Sequence, residues 1–295
     1  MALREKMKRA VEQPDLVFQP LNRLYYNVTN ETEFNDRGID VLQEDWDNLI
    51  ILDACRYDFF EEHCTLDGNL EKRISKAAAT EEFLRATFGN RTIRDLVYVS
   101  SNPQYERLKT EIDAEVFKYI ATEKDALDGL SVYPETVTDD ALDAAEDHPD
   151  KRLMVHYMQP HQPYLAGGGE EIDYGMGLVA TMKKNDLTQA EVREAYRANL
   201  DYVLEEVTRL IDSLEGKTVI TADHGEILGE RQRPFPARTF SHPTGIYIKE
   251  TVEVPWFIVD RGERKDIVPE APVRDEVEES VEEVDSHLRD LGYLD

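Results

Sequence analysis

Short runs rich in Val, Ile and Leu recur at 48–53, 95–100, 152–158, 217–222 and 254–259. Apolar residues in unbroken succession, not at alternate positions, read as strands buried on both faces. Stretches of helical periodicity lie between and after them, at 57–64, 81–88, 104–109, 113–120, 138–147, 189–214 and 275–291. The longest sets Val192, Ala195, Tyr196, Leu200, Val203, Leu204, Val207 and Leu210 on one face, with Gly216 placed to terminate it. Strands separated by helices predict a largely parallel sheet covered on both sides, an α/β fold in one domain. Residues 1–45 form an N-terminal extension. The stretch 164–187 breaks the pattern: it holds Gly167, Gly168, Gly169, Gly175 and Gly177 with little periodicity, and reads as a loop or flap over the carboxyl edge of the sheet.

Composition narrows the function classes. The 295 residues can bury a large core, and 41% are hydrophobic, as a folded protein requires. Asp and Glu number 62 against 34 Lys and Arg, a net charge of −28. A surface this negative repels nucleic acid and anionic lipid, and opposes anionic substrates unless salt shortens the Debye length. Acidic excess with 21 Arg and only 13 Lys fits adaptation to molar salt, the halophilic reading. Cys55 and Cys64 are too few for a disulfide framework, the N-terminal residues lack the apolar stretch of a signal peptide, and no segment is apolar enough to span a bilayer. A cytoplasmic location is the expectation. The four basic residues within 4–9 are read as a solvated helix terminus amid so much acid, with a surface-docking helix as the alternative.

Two apolar runs end in ligand-type side chains. N-L-I-I-L closes on Asp53, and T-V-I-T-A closes on Asp223–His224. The carboxyl end of a parallel sheet is where α/β proteins place ligands, so these three groups converge on one edge. Carboxylate oxygen with imidazole nitrogen suits a divalent metal ion, Zn²⁺ or Mn²⁺, with Mg²⁺ and Ca²⁺ as alternatives. Two further histidines flank the expected site. His161 stands in H-Y-M-Q-P-H-Q-P-Y just past one strand, and His242 in F-S-H-P-T-G-I-Y before another.

Taken together, I-L-D-A-C-R-Y-D, V-H-Y-M-Q-P-H-Q-P-Y, A-Y-R-A-N-L-D-Y-V-L, V-I-T-A-D-H-G-E and S-H-P-T-G-I-Y followed by V-P-W resemble the sulfatase-like branch of the alkaline phosphatase superfamily. The compact sulfatase-like proteins of haloarchaea are especially similar. The resemblance runs from residue 46 to the C-terminus. It implies an α/β/α sandwich with a mostly parallel central sheet, and hydrolysis or transfer of sulfate and phosphate esters. It makes Asp53, Asp223 and His224 metal ligands, and gives His161 and His242 contact with the substrate's anionic group or with a second metal. Asn199 and Asp201, on the long helix, read as packing or surface.

The nucleophile departs from the family pattern. Formylglycine sulfatases use C-x-P-S-R, whereas Cys55 is followed by Arg56, Tyr57, Asp58 and Phe59. Other branches use an unmodified Thr or Ser after the first strand. I-S-K-A-A-A-T-E-E-F supplies Thr80 at a helix N-cap position, where a helix amino end favours an alkoxide or a bound oxyanion. Ser75 is the alternative nucleophile, and a plain helix cap with no chemistry is the other reading of Thr80. Arg56 either stabilises the substrate or pairs with Asp58, and Cys55 reads as a small buried residue. The expected function is metal-dependent hydrolysis of a sulfate or phosphate ester, with substrates among small molecules or glycans. A phosphoryl or phosphoglycosyl transferase or a phosphodiesterase of the same superfamily is the alternative, and a catalytically silent binding protein on the same fold is the third reading. A second metal would favour phosphate, although no additional carboxylate for it is evident.

Overall fold

The computed structural model describes residues 15–30, 32–175 and 177–273. The expected helix at 275–291 and the basic segment at 4–9 lie outside them. In chain order the elements are α1 (Asp15–Thr29), β1 (Asn48–Leu52), α2 (Tyr57–His63), β2 (Asn69–Ile74), α3 (Thr80–Phe88), β3 (Arg91–Ser100) and α4 (Gln104–Leu108). There follow β4 (Ala114–Ala121), α5 (Pro134–Asp147), β5 (Arg152–Tyr157), α6 (Leu178–Asn185), α7 (Gln189–Ser213) and β6 (Gly216–Thr221). The last are β7 (Ile227–Arg231), β8 (Arg238–Ser241), α8 (Lys249–Val252) and β9 (Glu253–Arg261).

Among the described residues, seven strands form one sheet in the order β2-β9-β6-β1-β5-β3-β4. β9 pairs antiparallel with both β2 and β6, while the other neighbours pair parallel, so the sheet is mostly parallel as expected. β1 sits between β5 and β6, with Asn48 in register with Leu153 on one side and Thr218 on the other. Its Leu49, Ile50, Ile51 and Leu52 are fully buried, each contributing roughly 1.5–3 kcal/mol.

Alternation along the strands divides the core in two. Ile50, Leu52, Val155 and Ile220 join a cluster with Phe59 and Phe60 of α2, Val137 of α5 and the apolar face of α7. Leu49, Ile51, Met154 and Val219 join the opposite cluster, with Phe83 and Phe88 of α3 and Tyr105 of α4.

Several expectations need correction. Residues 113–120 are not helical: 114–121 form β4, pairing parallel with β3. Val, Phe, Tyr and Ile favour a pleated edge there over the helical spacing of Glu115 and Lys118. Gly216 opens β6 instead of ending α7: its φ is 89°, and a Cβ there would lie 2.3 Å from Asp47 Oδ2. Within 164–187 lies α6, whose Leu178 joins the core, and Tyr174 Oη donates to the carbonyls of Tyr164 and Gly169. β2 and the β7–β8 hairpin carry too many charged residues to show as apolar runs.

Tyr196 of α7 locks the turn after β1. Its hydroxyl donates to the Ala54 carbonyl (2.8 Å) and accepts from the Arg56 N–H (3.1 Å), in a fully buried position. Tyr196→Phe leaves both backbone groups without that partner and should cost about 1–3 kcal/mol in urea unfolding; an unchanged midpoint would reduce the residue to packing alone.

Candidate metal centre and active site

Four neighbouring strands, β6, β1, β5 and β3, deliver the site at their carboxyl ends. They supply, in that order, Asp223 and His224, Asp53, His156 and Asn102. The β1–β5 pairing continues one residue past the strand: the Asp53 N–H donates to the Tyr157 carbonyl (3.0 Å), and the His161 N–H donates to the Asp53 carbonyl (3.2 Å). Ala54 then turns the chain away at φ 59°, a left-handed conformation uncommon outside glycine.

Asp223 is tied by both oxygens. Oδ1 accepts from the N–H groups of Ala54 (3.0 Å) and His224 (2.8 Å), and Oδ2 accepts from the Thr80 hydroxyl (2.8 Å). The same hydroxyl oxygen lies 3.2 Å from His224 Nε2 and 3.5 Å from Asp53 Oδ2. Asp53, Thr80, Asp223 and His224 are all fully buried. The D-H-G turn requires its glycine, because a Cβ on Gly225 would stand 2.3 Å from the Glu250 carbonyl.

Thr80 is not the helix cap it was expected to be. Ala79 occupies that position and Thr80 is the first residue of α3, leaving its hydroxyl to the carboxylates. The alanines before it are buried and small, which permits the close approach. Glu82 fixes this turn: Oε2 accepts from the Ala78 N–H (2.8 Å), while Oε1 accepts from the Gly245 N–H and the Tyr247 hydroxyl (3.0 Å each). One buried carboxylate therefore ties the Thr80 turn to the loop that follows His242. Ser75 is employed differently, donating to the Asp223 backbone carbonyl and accepting from the Ala77 N–H.

Ligand atoms from Asp53, Asp223 and His224 lie within 4.8 Å of one another, and so do those of His161, Glu226 and His242. The sets adjoin, the His224 and His242 ring centroids being 4.5 Å apart and those of His161 and His242 5.1 Å. His224 Nδ1 faces the Gly225 carbonyl (2.8 Å) and His161 Nδ1 that of Gln162, so each neutral ring carries its proton there and offers Nε2 as a lone pair. Burial, aided by the charge of His242, holds both rings neutral, with pKa values well below the ordinary 6.5. Two buried carboxylates side by side are costly without a cation, and their mixture with imidazole fits a divalent metal. Glu226 Oε1 is buried and has no hydrogen-bond partner among the described residues, as befits a ligand oxygen.

Glu226, His156 and Asn102 were not singled out from the sequence. Glu226 ends the quoted D-H-G-E, two residues after His224, and that carboxylate was the available signal. His156 was masked by its apolar strand. Its Nε2 lies 3.8 Å from Asp223 Oδ2 and 4.0 Å from Asp53 Oδ2, Tyr98 Oη holds Nδ1 at 2.9 Å, and burial pushes its pKa down to about 4. Asn102 donates to Asp53 Oδ2 (2.7 Å) from the loop after β3.

Other candidates settle into structural places. Arg56 pairs bidentately with Asp58 (2.9 and 2.6 Å), and its Nη1 meets Glu230 Oε1 (2.6 Å) and the Glu226 carbonyl (3.2 Å). That makes it a strut behind Glu226, the Asp58-pairing alternative, rather than a contact of the Thr80 cluster. Burial raises the Cys55 thiol pKa well above its usual value, which disfavours the thiolate. Asn199 does more than pack: its Oδ1 accepts from the Leu165 N–H and its Nδ2 donates to the Pro160 and His161 carbonyls, clamping the loop that carries His161. Asp201 sits at the surface, paired with His63.

The sheet is mostly parallel and carries these groups at its carboxyl edge. The chain belongs to the Sulfatase family, whose model matches residues 72–288. Curated proteins yield no match. Among solved structures, the C-terminal periplasmic domain of EptC from Escherichia coli, in complex with Zn, is 14% identical with a TM-score of 0.51, covering 76% of this chain and 75% of that one. The integral membrane protein lipooligosaccharide phosphoethanolamine transferase A from Neisseria meningitidis gives 14% identity and a TM-score of 0.50, over 72% of this chain and 46% of its own. A protein in the alkaline phosphatase superfamily from Vibrio parahaemolyticus gives 12% and 0.45, over 84% and 71%. The first two likenesses are of fold.

Two outcomes test the geometry. Asp223→Ala should remove divalent metal from the first set, read by elemental analysis, whereas Glu226→Gln should weaken only the second. In metal-free protein, burial pushes the His242 imidazole down, but Glu226, 2.9 Å from Nδ1, outweighs this and holds its pKa at about 9, above the ordinary 6.5. The stabilisation is therefore complete below pH 6.5 and is lost as pH rises through 9. Urea unfolding should show that loss in the wild type and much less of it in Glu226→Gln.

Proposed function

We propose that the protein is a metal-dependent hydrolase of phosphate or sulfate esters, with Thr80 as the nucleophile. The observation that carries this is the Thr80 hydroxyl, buried at the start of α3 and 2.8 Å from Asp223 Oδ2 beside His224 and Asp53. A buried threonine would ordinarily satisfy its hydroxyl on the backbone; this one meets two carboxylates and an imidazole nitrogen.

Asp53, Asp223 and His224 would hold the first ion, and His161, Glu226 and His242 a second. Bound there, a divalent ion supplies charge neutralisation for the tetrahedral anion and acidifies the nucleophile's hydroxyl. The chain's own groups orient the reaction. Asp223 Oδ2 holds the Thr80 proton and fixes the hydroxyl's rotamer, while Asn102 holds Asp53 against rotation. Thr80 Oγ1 forms a bond to phosphorus or sulfur as the bond to the leaving alcohol breaks, giving a covalent ester on Thr80. Water then cleaves that ester. His161 and His242 face the group being transferred, and 164–187 forms a rim that selects substrates.

Glu226 favours phosphate over sulfate. A phosphate monoester carries more negative charge than a sulfate ester, and a second carboxylate–imidazole set can hold the cation that offsets it. Zinc is the ion we favour, from the mixed oxygen and nitrogen donors and from the zinc complex of the EptC domain. The EptA likeness, to a phosphoethanolamine transferase, supports a second reading in which an alcohol, not water, accepts the group.

Assay of nitrophenyl phosphate and nitrophenyl sulfate, in low and in molar potassium chloride with zinc or manganese, tests the proposal. Phosphate turnover should exceed sulfate turnover, and Thr80→Ala should lose on the order of 10⁴-fold or more while keeping metal. Mass spectrometry of quenched wild type should find the transferred group on Thr80. Full activity in Thr80→Ala would refute the nucleophile, and metal binding without either activity would leave the binding-protein reading.

A further inference from the structure

Glu82 is a buried acid without a cation. It is 5% exposed and forms no ion pair among the described residues, whereas its neighbour Glu81 pairs with Arg85 and Arg107. A carboxylate taken from water with no opposite charge is costly unless hydrogen bonds surround it. Three neutral donors do so here. Oε2 accepts from the Ala78 N–H (2.8 Å), and Oε1 accepts from the Gly245 N–H and the Tyr247 hydroxyl (3.0 Å each). Burial still raises its pKa above the ordinary 4.5, so the donors offset the cost only in part.

Helix capping does not account for this arrangement. Ala79 is the N-cap of α3 and Glu82 its third residue, where a glutamate ordinarily reaches back to the N-cap N–H. Glu82 instead reaches past Ala79 to Ala78, outside the helix, and turns its other oxygen to a different loop. Ala78 stands two residues before Thr80, and Gly245 three residues after His242. The 242–248 loop lies between β8 and α8, and the Asn30 amide holds the Gly245 carbonyl (2.9 Å). Among the described residues, Glu82 supplies the hydrogen bonds that join 76–82 to this loop.

We infer that Glu82 is a positioning residue that couples the two donor sets. A cation held by His161, Glu226 and His242 orders the 242–248 loop, and Glu82 passes that order to the turn that places Thr80. By linkage, the ordered Thr80 turn favours the second cation to the same degree. The link needs an acceptor on both sides. A glutamine amide would turn its NH2 toward the Ala78 N–H or the Gly245 N–H, neither of which can accept, so one side breaks. The inference rests on the proposed role of Thr80 for its kinetic consequence alone; the coupling itself is measurable without turnover.

Hydrogen–deuterium exchange of the full chain carrying Asp223→Ala, where zinc can occupy the second set alone, tests it with and without zinc. Zinc should slow exchange roughly fivefold or more in 242–248 and in 76–82 alike. Adding Glu82→Gln should keep the slowing in 242–248 and abolish it in 76–82. Tyr247→Phe, which lies outside α3 and removes one of the three donors, should at least halve the slowing in 76–82, and so guards against a folding defect in the first variant. In otherwise wild-type protein at saturating zinc, Glu82→Gln should lower kcat for nitrophenyl phosphate about 100-fold, with KM changed less than about threefold. Three results would overturn the inference: no slowing of 76–82 by zinc in Asp223→Ala, equal slowing there with and without Glu82, or wild-type kcat in Glu82→Gln. A wild type that turns over neither ester would refute the proposed chemistry instead, and the exchange result would still decide the coupling.

Discussion

The Asp223 carboxylate is the point on which the site is organised. One oxygen is held by two backbone N–H groups from different strand ends, Ala54 after β1 and His224 after β6. The other receives the Thr80 hydroxyl from the start of α3. Three segments far apart in sequence are thereby brought into register by one side chain. Its burial carries a desolvation cost that hydrogen bonds only partly offset, and in the proposed function a divalent ion shared with Asp53 would complete the balance. The surrounding devices protect this arrangement: Tyr196 locks the turn after Asp53, Asn102 steadies its carboxylate, and Glu82 ties the Thr80 turn to the His242 loop.

A second set of groups adjoins the first. His161 arrives from the loop after β5, Glu226 from the end of the D-H-G-E turn and His242 from beyond β8. Loops after different strands thus contribute to two adjoining donor sets, and a substrate anion between them would meet both. Arg56 serves this second set through the Glu226 backbone, so its ion pairs with Asp58 and Glu230 bear on the site by positioning.

Much of this was legible in the sequence because buried parallel strands leave a strong signature. N-L-I-I-L and T-V-I-T-A announced β1 and β6, and the residues closing them announced the metal-ligand candidates Asp53, Asp223 and His224. Thr80 stood out through the resemblance to branches with an unmodified Thr or Ser at a helix start, although its hydroxyl meets the carboxylates and not the helix end. What escaped detection depends on pairing that no local pattern encodes. β4 carries charges at helical spacing and is a strand only because β3 offers it an edge. Glu226 looked like one more acid in an acid-rich chain; its burial beside His242 is a product of the turn. His156 lay inside an apolar run, where a histidine reads as core until the neighbouring strand ends are known.

Anomalous diffraction at the metal absorption edges tests the central claim most directly. Crystals grown with zinc or manganese should show an anomalous peak within about 2.0–2.2 Å of the Asp53, Asp223 and His224 ligand atoms, with Thr80 Oγ1 adjoining it. Well-ordered crystals in which those side chains are packed together and the ion binds only elsewhere would contradict the account.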